Sequence, residues 1–362
     1  MKITPHRPDN HQVYKNPFKE NNIYPFNKIG RVGCDKDTAE IRFRLGEEDS
    51  NLDVSGFPID WSNLDIYTYI PKFYSKRTWT GETVKDEISS EIPTDKGHDG
   101  WEIHPAFLRE DGTVRPYILI GCFDGTEVGG QLRSIPSLQK PLVSITISTA
   151  LSKARQGRNN KFTIGCPQML TVMQILCKVA FQTLNLQQYI GNGWTNKSEA
   201  QTVGTTMSLG NRTGYVGVNG DQISVFGVED FYGGVWQFIT GYITRDDGIY
   251  ITHDPSKFGG AYSSYDKIAN SPQLTGQNGY VKKILKIDNA KHKYMNIPKE
   301  IGGSDSTYYC DYHWSHEASE ENICLFGAYW DGGASAGAFY LDLSTVASGS
   351  WTHIGARLCY LP

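Results

Sequence analysis

The residues best equipped for chemistry in this chain are aromatic. From Ser306 to His316 it reads Ser-Thr-Tyr-Tyr-Cys-Asp-Tyr-His-Trp-Ser-His, which puts Tyr308, Tyr309, Tyr312, His313 and Trp314 within seven positions. Side chains on a strand alternate between its two faces, so these five cannot all point inward. Some must meet solvent or another molecule, and exposed aromatic clusters mark interaction surfaces. The chemistry they offer is recognition. His313 and His316 raise the sharper idea of a metal site, but the stretch reads as strand or loop and no third ligand stands at a telling spacing. Further on, Ala334-Ser-Ala-Gly-Ala-Phe-Tyr340 and the segment from Ser344 to Thr352 mix small, polar and aromatic residues. Adaptable binding surfaces share this composition, with Tyr and Trp supplying rigid contact area and Ser and Gly supplying adjustable contacts.

Bond-making chemistry has less to work with. The chain contains no phosphate loop or zinc signature. Glu229 and Asp230 are adjacent and would face apart on a strand; a glycosidase pair would have to meet in space, which leaves no trace in sequence. Seven cysteines without regular spacing argue for reduced, mostly buried thiols and not for a disulfide framework. The expectation is a protein that is not an enzyme and uses no cofactor. A formal charge of -4 gives no basic face for nucleic acid. No apolar run approaches the roughly 18 residues that span a bilayer, and the start, Met1-Lys-Ile-Thr-Pro-His-Arg-Pro, lacks the apolar core of a signal peptide.

The elements that must position these residues follow from patterning. Residues 1 to about 50 are polar and Pro- and Asn-rich, then charged, and read as an extended arm or attachment segment. Strands are expected at 64–74, 101–107 and 115–123, the last apolar enough to be buried on both faces, with a turn at Glu110-Asp-Gly112. Helices are expected at 148–155, ending near Gly157, and from Cys166-Pro167 to Thr183. In the second, Met169, Leu170, Met173, Leu176, Cys177, Ala180 and Phe181 recur at helical spacing, and Pro167 suits the first turn. A long loop follows Gly191-Asn-Gly193, and beyond about 210 the pattern is short strands broken by Gly and Asn. Strands, two helices, then strands is an α+β layout.

Two segments in the last third carry a family likeness. Phe226-Gly-Val-Glu-Asp-Phe-Tyr-Gly-Gly-Val-Trp-Gln-Phe238 resembles the Gly-Asn-Val-Trp-Glu-Trp motif of the formylglycine-generating-enzyme superfamily. The stretch from Phe326-Gly-Ala-Tyr-Trp-Asp-Gly-Gly333 to Ile354-Gly-Ala-Arg-Leu358 is similar to that family's Arg-Gly-Gly-Ser-Trp … Ile-Gly-Phe-Arg-Leu ending. The branch it looks most like comprises phage tail proteins and the variable proteins of diversity-generating retroelements. The resemblance covers roughly 115 to 362, although Gly165-Cys-Pro167 stands where the family has Arg-Leu-Pro…Glu-Trp. It implies a C-type-lectin-like domain over 111–362, with two helices packed on a twisted sheet, behind a mostly β or extended attachment and oligomerisation region over 1–110.

The likeness also distributes roles. Gly227, Gly233, Gly234, Trp236, Gly332, Gly333, Gly355 and Arg357 would hold the frame, with Gly327 and Gly337 beside them. Arg357 would bridge strand carbonyls or a carboxylate. Family members hold a structural calcium through the Asn and Glu of their motif, but here Gly234 and Gln237 replace these, and a hard cation needs several oxygen ligands. The family's copper enzymes use two closely spaced cysteines near the C-terminus; Cys310, Cys324 and Cys359 offer no such pair. What remains implied is a tail receptor-binding protein in the virion, homotrimeric by analogy, holding other tail proteins and binding a host-surface protein or glycan. Its variable segment would span 305–353. Tyr309, Asp311, Tyr312, His313, Tyr329, Trp330, Asp331, Ser335, Phe339, Tyr340 and His353 would form the ligand-binding surface. A metal-dependent oxidase of the formylglycine-generating type and a purely structural tail component are the alternatives.

Overall fold

The centre of the molecule is the strand Tyr117–Asp124, seven of whose eight residues are buried. The computed structural model describes residues 11–13, 21–93, 99–210, 216–219, 221–270, 276–316 and 321–362. It is mostly β, with 36% strand and 13% helix in three α-helices, around a curled sheet; this agrees with an α+β class.

The central strand belongs to a six-stranded antiparallel sheet. The order is Phe162–Ile164, Arg357–Tyr360, Tyr117–Asp124, Leu64–Pro71, Gly30–Asp35 and Ile41–Arg44. This sheet crosses the boundary expected near 110. Phe26, Ile29, Val32, Cys34 and Ala39 lie in the same core as Ile118 and Ile120. The described residues from 21 to 50 are therefore built into the core and do not form an extended arm, while 1–10 and 14–20 lie outside the described residues. Polarity misleads here because Arg31, although charged, is buried: its guanidinium donates to the Gly227 carbonyl at 2.9 Å and the Thr206 hydroxyl at 2.8 Å.

A larger sheet forms the second half. Its path runs Asp266–Ala269, Gly248–Ile251, Trp236–Arg245, Asn322–Phe326, Leu341–Val346, Tyr312–Ser315, Gly279–Ile284 and Pro298–Ile301, and Ile354–Gly355 pairs alongside Trp236. Helix α1 (Ile147–Arg155) starts at Thr146, whose hydroxyl accepts from the Thr149 amide. Helix α2 (Pro167–Phe181) begins with Pro167 in its first turn and ends at Gln182 in the left-handed region (φ 53°), whose amide donates to the Lys178 carbonyl. Nearly all of α2 is buried, between the three-stranded unit Tyr74–Thr80, Thr83–Ser89 and Glu102–Ile103 and the large sheet. The strand expected over 101–107 is shorter: after Glu102–Ile103 the chain turns through Pro105–Phe107, where the His104 ring accepts from the Ala106 amide at 3.3 Å.

Candidate ligand-binding face

Arg357 fixes the geometry behind the face. It is fully buried in the last strand. Its Nη2 donates to the Asp124 carboxylate at 2.7 Å and to the Glu229 and Asp230 carbonyls at 2.8 and 3.1 Å. Nη1 reaches the Gly121 carbonyl at 3.1 Å and Nε the Gln237 side chain at 3.0 Å. The guanidinium thus ties the six-stranded sheet to the 226–238 motif. Burial and the neighbouring Glu229 push Asp124 up to about 7 against the pull of Arg357. Gly233 and Gly234 take φ of 77° and 74°, a region open to Gly. At Gly233 a Cβ would crowd the Trp194 amide and the Asn192 carbonyl.

Glu229 and Asp230 turn to different partners. Glu229 accepts from the Gly204 and Thr206 amides at 2.8 Å each, and Asp230 from Gln222 at 2.8 Å and the Ile223 amide at 3.1 Å. Burial holds both carboxyls above their ordinary range, for Asp230 with the Glu229 charge adding to it. Among the described residues no three His, Cys, Asp or Glu side chains are grouped to hold a metal ion. All seven cysteines are free and buried. Sequence spacing did not pair them, but Cys166 and Cys359 meet inside the core. Burial alone would raise Cys166, whereas the Cys359 thiol and the Met169 and Gln168 amides lower it.

On this frame the aromatic residues form a continuous run of rings. Tyr280 meets Tyr312 edge to face at 5.2 Å between centroids, and Tyr312 meets Tyr340 at 5.8 Å. Tyr340 meets Trp236 at 4.7 Å, and Trp236 stacks near Tyr329 at 6.3 Å. Tyr329 touches Trp330 at 5.5 Å and His353 at 4.8 Å. Trp314 joins through Tyr312 at 6.4 Å. Alternation in the strand Tyr312–Ser315 sends Tyr312 and Trp314 outward and His313 and Ser315 inward. Trp314 is 39% exposed; Tyr308 (54%) and Trp351 (42%) lie open nearby in sequence to the same segments.

The expected surface divides in two. Tyr312, Tyr329, Trp330, Asp331, Ser335 and His353 reach solvent at least in part. Tyr309, Asp311, His313, Phe339 and Tyr340 do not; they are buried, which corrects their assignment as contact residues. The reasons differ. Asp311 accepts from the Phe339 amide at 2.6 Å and the Gln187 side chain at 3.2 Å, and a Cβ on Gly337 would collide with its carboxylate. Burial lifts its carboxyl well above the usual range. His313 bonds the Leu341 carbonyl at 2.8 Å through Nδ1, and burial lowers it to about 4. Tyr309 packs on Phe339, and Tyr340 sits between Trp236 and Tyr312. His316, the other histidine of the pair, is exposed.

Three members of the run were absent from the expected surface: Tyr280, Trp236 and Trp314. For Trp314 a signal existed, since it lies two positions from Tyr312 and so shares its face. Tyr280 had none, because it reaches Tyr312 by cross-strand pairing over 32 positions (280 to 312). No known protein-family model matches the chain, and no curated protein sequence matches it.

Proposed function

We propose that the chain is a phage or prophage tail receptor-binding protein whose C-type-lectin-like, formylglycine-generating-enzyme-type domain presents the aromatic run to a host-surface protein or glycan. The observation that supports this reading is the run itself. Its inner members, Tyr340 and Trp236, are held rigidly in the core, while Tyr312, Trp314, Tyr329 and Trp330 offer ring surface to solvent. Pre-placed aromatics lose little conformational freedom on binding, which suits them as anchors. In this reading the exposed positions Tyr312, Tyr329, Trp330, Asp331, Ser335 and His353 are also the ones a retroelement could vary without disturbing the frame. A homotrimer on a tail would add avidity through multivalency.

The test is adsorption. Purified protein should bind cells of the bacterial strain that supports the parent phage, and should compete with phage particles. Tyr312→Ala, Trp314→Ala and Trp330→Ala should together abolish cell binding while each keeps its thermal stability within about 1 kcal/mol. Full binding by the triple variant would rule out this face.

A further inference from the structure

A cavity of about 680 Å³ lies where the strand Thr83–Ser89 meets the C-terminal end of α2. Small-molecule sites commonly have this size. Val84, Ile88, Trp101, Val179 and Leu184 give it apolar walls, and Lys178 and Asp86 also line it. Those two belong to a buried ionic cluster. Arg77 grips Asp86 with two bonds, Nε to Oδ1 at 2.7 Å and Nη2 to Oδ2 at 2.9 Å, and Lys178 Nζ stands 2.7 Å from Oδ2. The side chains of Asp86, Arg77 and Lys178 are 0%, 2% and 9% exposed.

Two cations therefore share one carboxylate. Their other bonds go to neutral acceptors: Arg77 to the Lys293 carbonyl at 2.7 Å, and both to the Asn296 side chain. Glu87 also lines the cavity, but it pairs with Lys85 at 3.0 Å and adds no net charge. Among the described residues the cluster keeps one positive charge in excess, and a buried charge without a counter-charge is costly. Lys178 is the member of that cation pair that also lines the cavity.

We propose that this cavity binds a small amphiphilic organic anion, its acid group on Lys178 Nζ and its apolar body against Val84, Ile88, Trp101, Val179 and Leu184. The site is separate from the aromatic face and stands or falls without it. Burial lowers the Lys178 amine to about 8; Asp86 opposes that shift and Arg77 adds to it. An arriving anion raises it again, so binding takes up protons above that pH and weakens as pH rises. His104, Tyr294 and Tyr309, which also face the cluster, are kept uncharged at neutral pH by burial, and Lys293 beside them is paired with Glu102 at 2.6 Å.

The probe is anilinonaphthalene sulfonate, followed by fluorescence titration of the full chain, with N-phenylnaphthylamine as its uncharged counterpart. One saturable sulfonate site is expected, displaced by decanoate. Lys178→Met should weaken the sulfonate at least tenfold and leave the uncharged dye within about twofold, and Leu184→Trp should remove both. Lys178→Arg keeps the charge and should retain sulfonate binding. The wild-type affinity for the sulfonate should fall between pH 7 and pH 9.5. Unchanged sulfonate binding in Lys178→Met, a flat pH profile, or loss of binding in Trp314→Ala instead would each overturn the proposal.

Discussion

Around Arg357 and around Tyr312 the molecule handles polar and aromatic groups in opposite ways. At Arg357 the guanidinium has five partners within 3.1 Å, and Glu229 and Asp230 are each held by at least two donors. Among the described residues these groups spend their bonds on one another and on the backbone. At Tyr312 the rings touch one another from inside to outside, and the outermost faces are bare. A region whose groups are used internally holds shape, and one with unused surface is free to make contacts. Tyr340 is where the two regimes join, since it is buried yet packs directly on the outward Tyr312.

That contrast can be broken by mutation. The largest effect is expected for Arg357→Met, which leaves Asp124 buried without its cation. A loss of about 3–5 kcal/mol, or outright failure to fold, should appear in chemical denaturation. Stability near wild type would mean that the frame does not rest on this residue. Tyr340→Ala comes next, at about 3 kcal/mol, as for other buried aromatics. It should weaken cell binding only through the collapse of its neighbours, so Tyr340→Phe should restore stability. Trp314→Ala gives the smallest change in melting, under about 1 kcal/mol. If Trp314→Ala proves as costly as Tyr340→Ala, the division into frame and face is wrong.

Acid offers a third handle, between these in size. His313 falls from the ordinary 6.5 to about 4, so the unfolded chain takes up its proton first. Its contribution is complete above 6.5 and is lost as pH drops from 6.5 towards 4, by about 3 kcal/mol at most. His104, lowered to about 3 by burial, acts in the same direction. Asp124, raised to about 7, has the opposite sign: its contribution is complete below 3.8 and fades as pH rises from there to 7. The histidine part is isolated by His313→Gln, whose melting temperature should decline less between pH 7 and pH 4.5 than that of the wild type. Equal declines would show that His313 does not take part.

Sequence made some of this legible. Helix α2 was visible because Met169, Met173, Leu176 and Ala180 repeat on a helical period, and Tyr117–Asp124 because its apolar run leaves no polar face. The outward turn of some of the 308–314 aromatics followed from alternation alone. Other features were hidden because their partners are remote. Arg31 reads as a surface charge until Thr206, 175 positions on, accepts from it. Asp311 and His313 read as contact residues for the same reason: the groups that bury them, Phe339 and Leu341, lie 28 positions away. Period and composition describe a residue's own strand, and burial depends on what another strand brings to it.

The strand Arg357–Tyr360 ties distant parts of the chain together. Arg357–Tyr360 is inserted between Tyr117–Asp124 and Phe162–Ile164, inside the sheet and away from its edges, and Arg357 reaches Gly121 across 236 positions. The gap between those two strands closes only once residues 357–360 are in place. Such long-range closure is slow. A chain lacking residues 357–360 would have an open sheet and an Asp124 stripped of its cation, so this strand is a keystone: without it neither the six-stranded sheet nor the anchor of the 226–238 motif is complete.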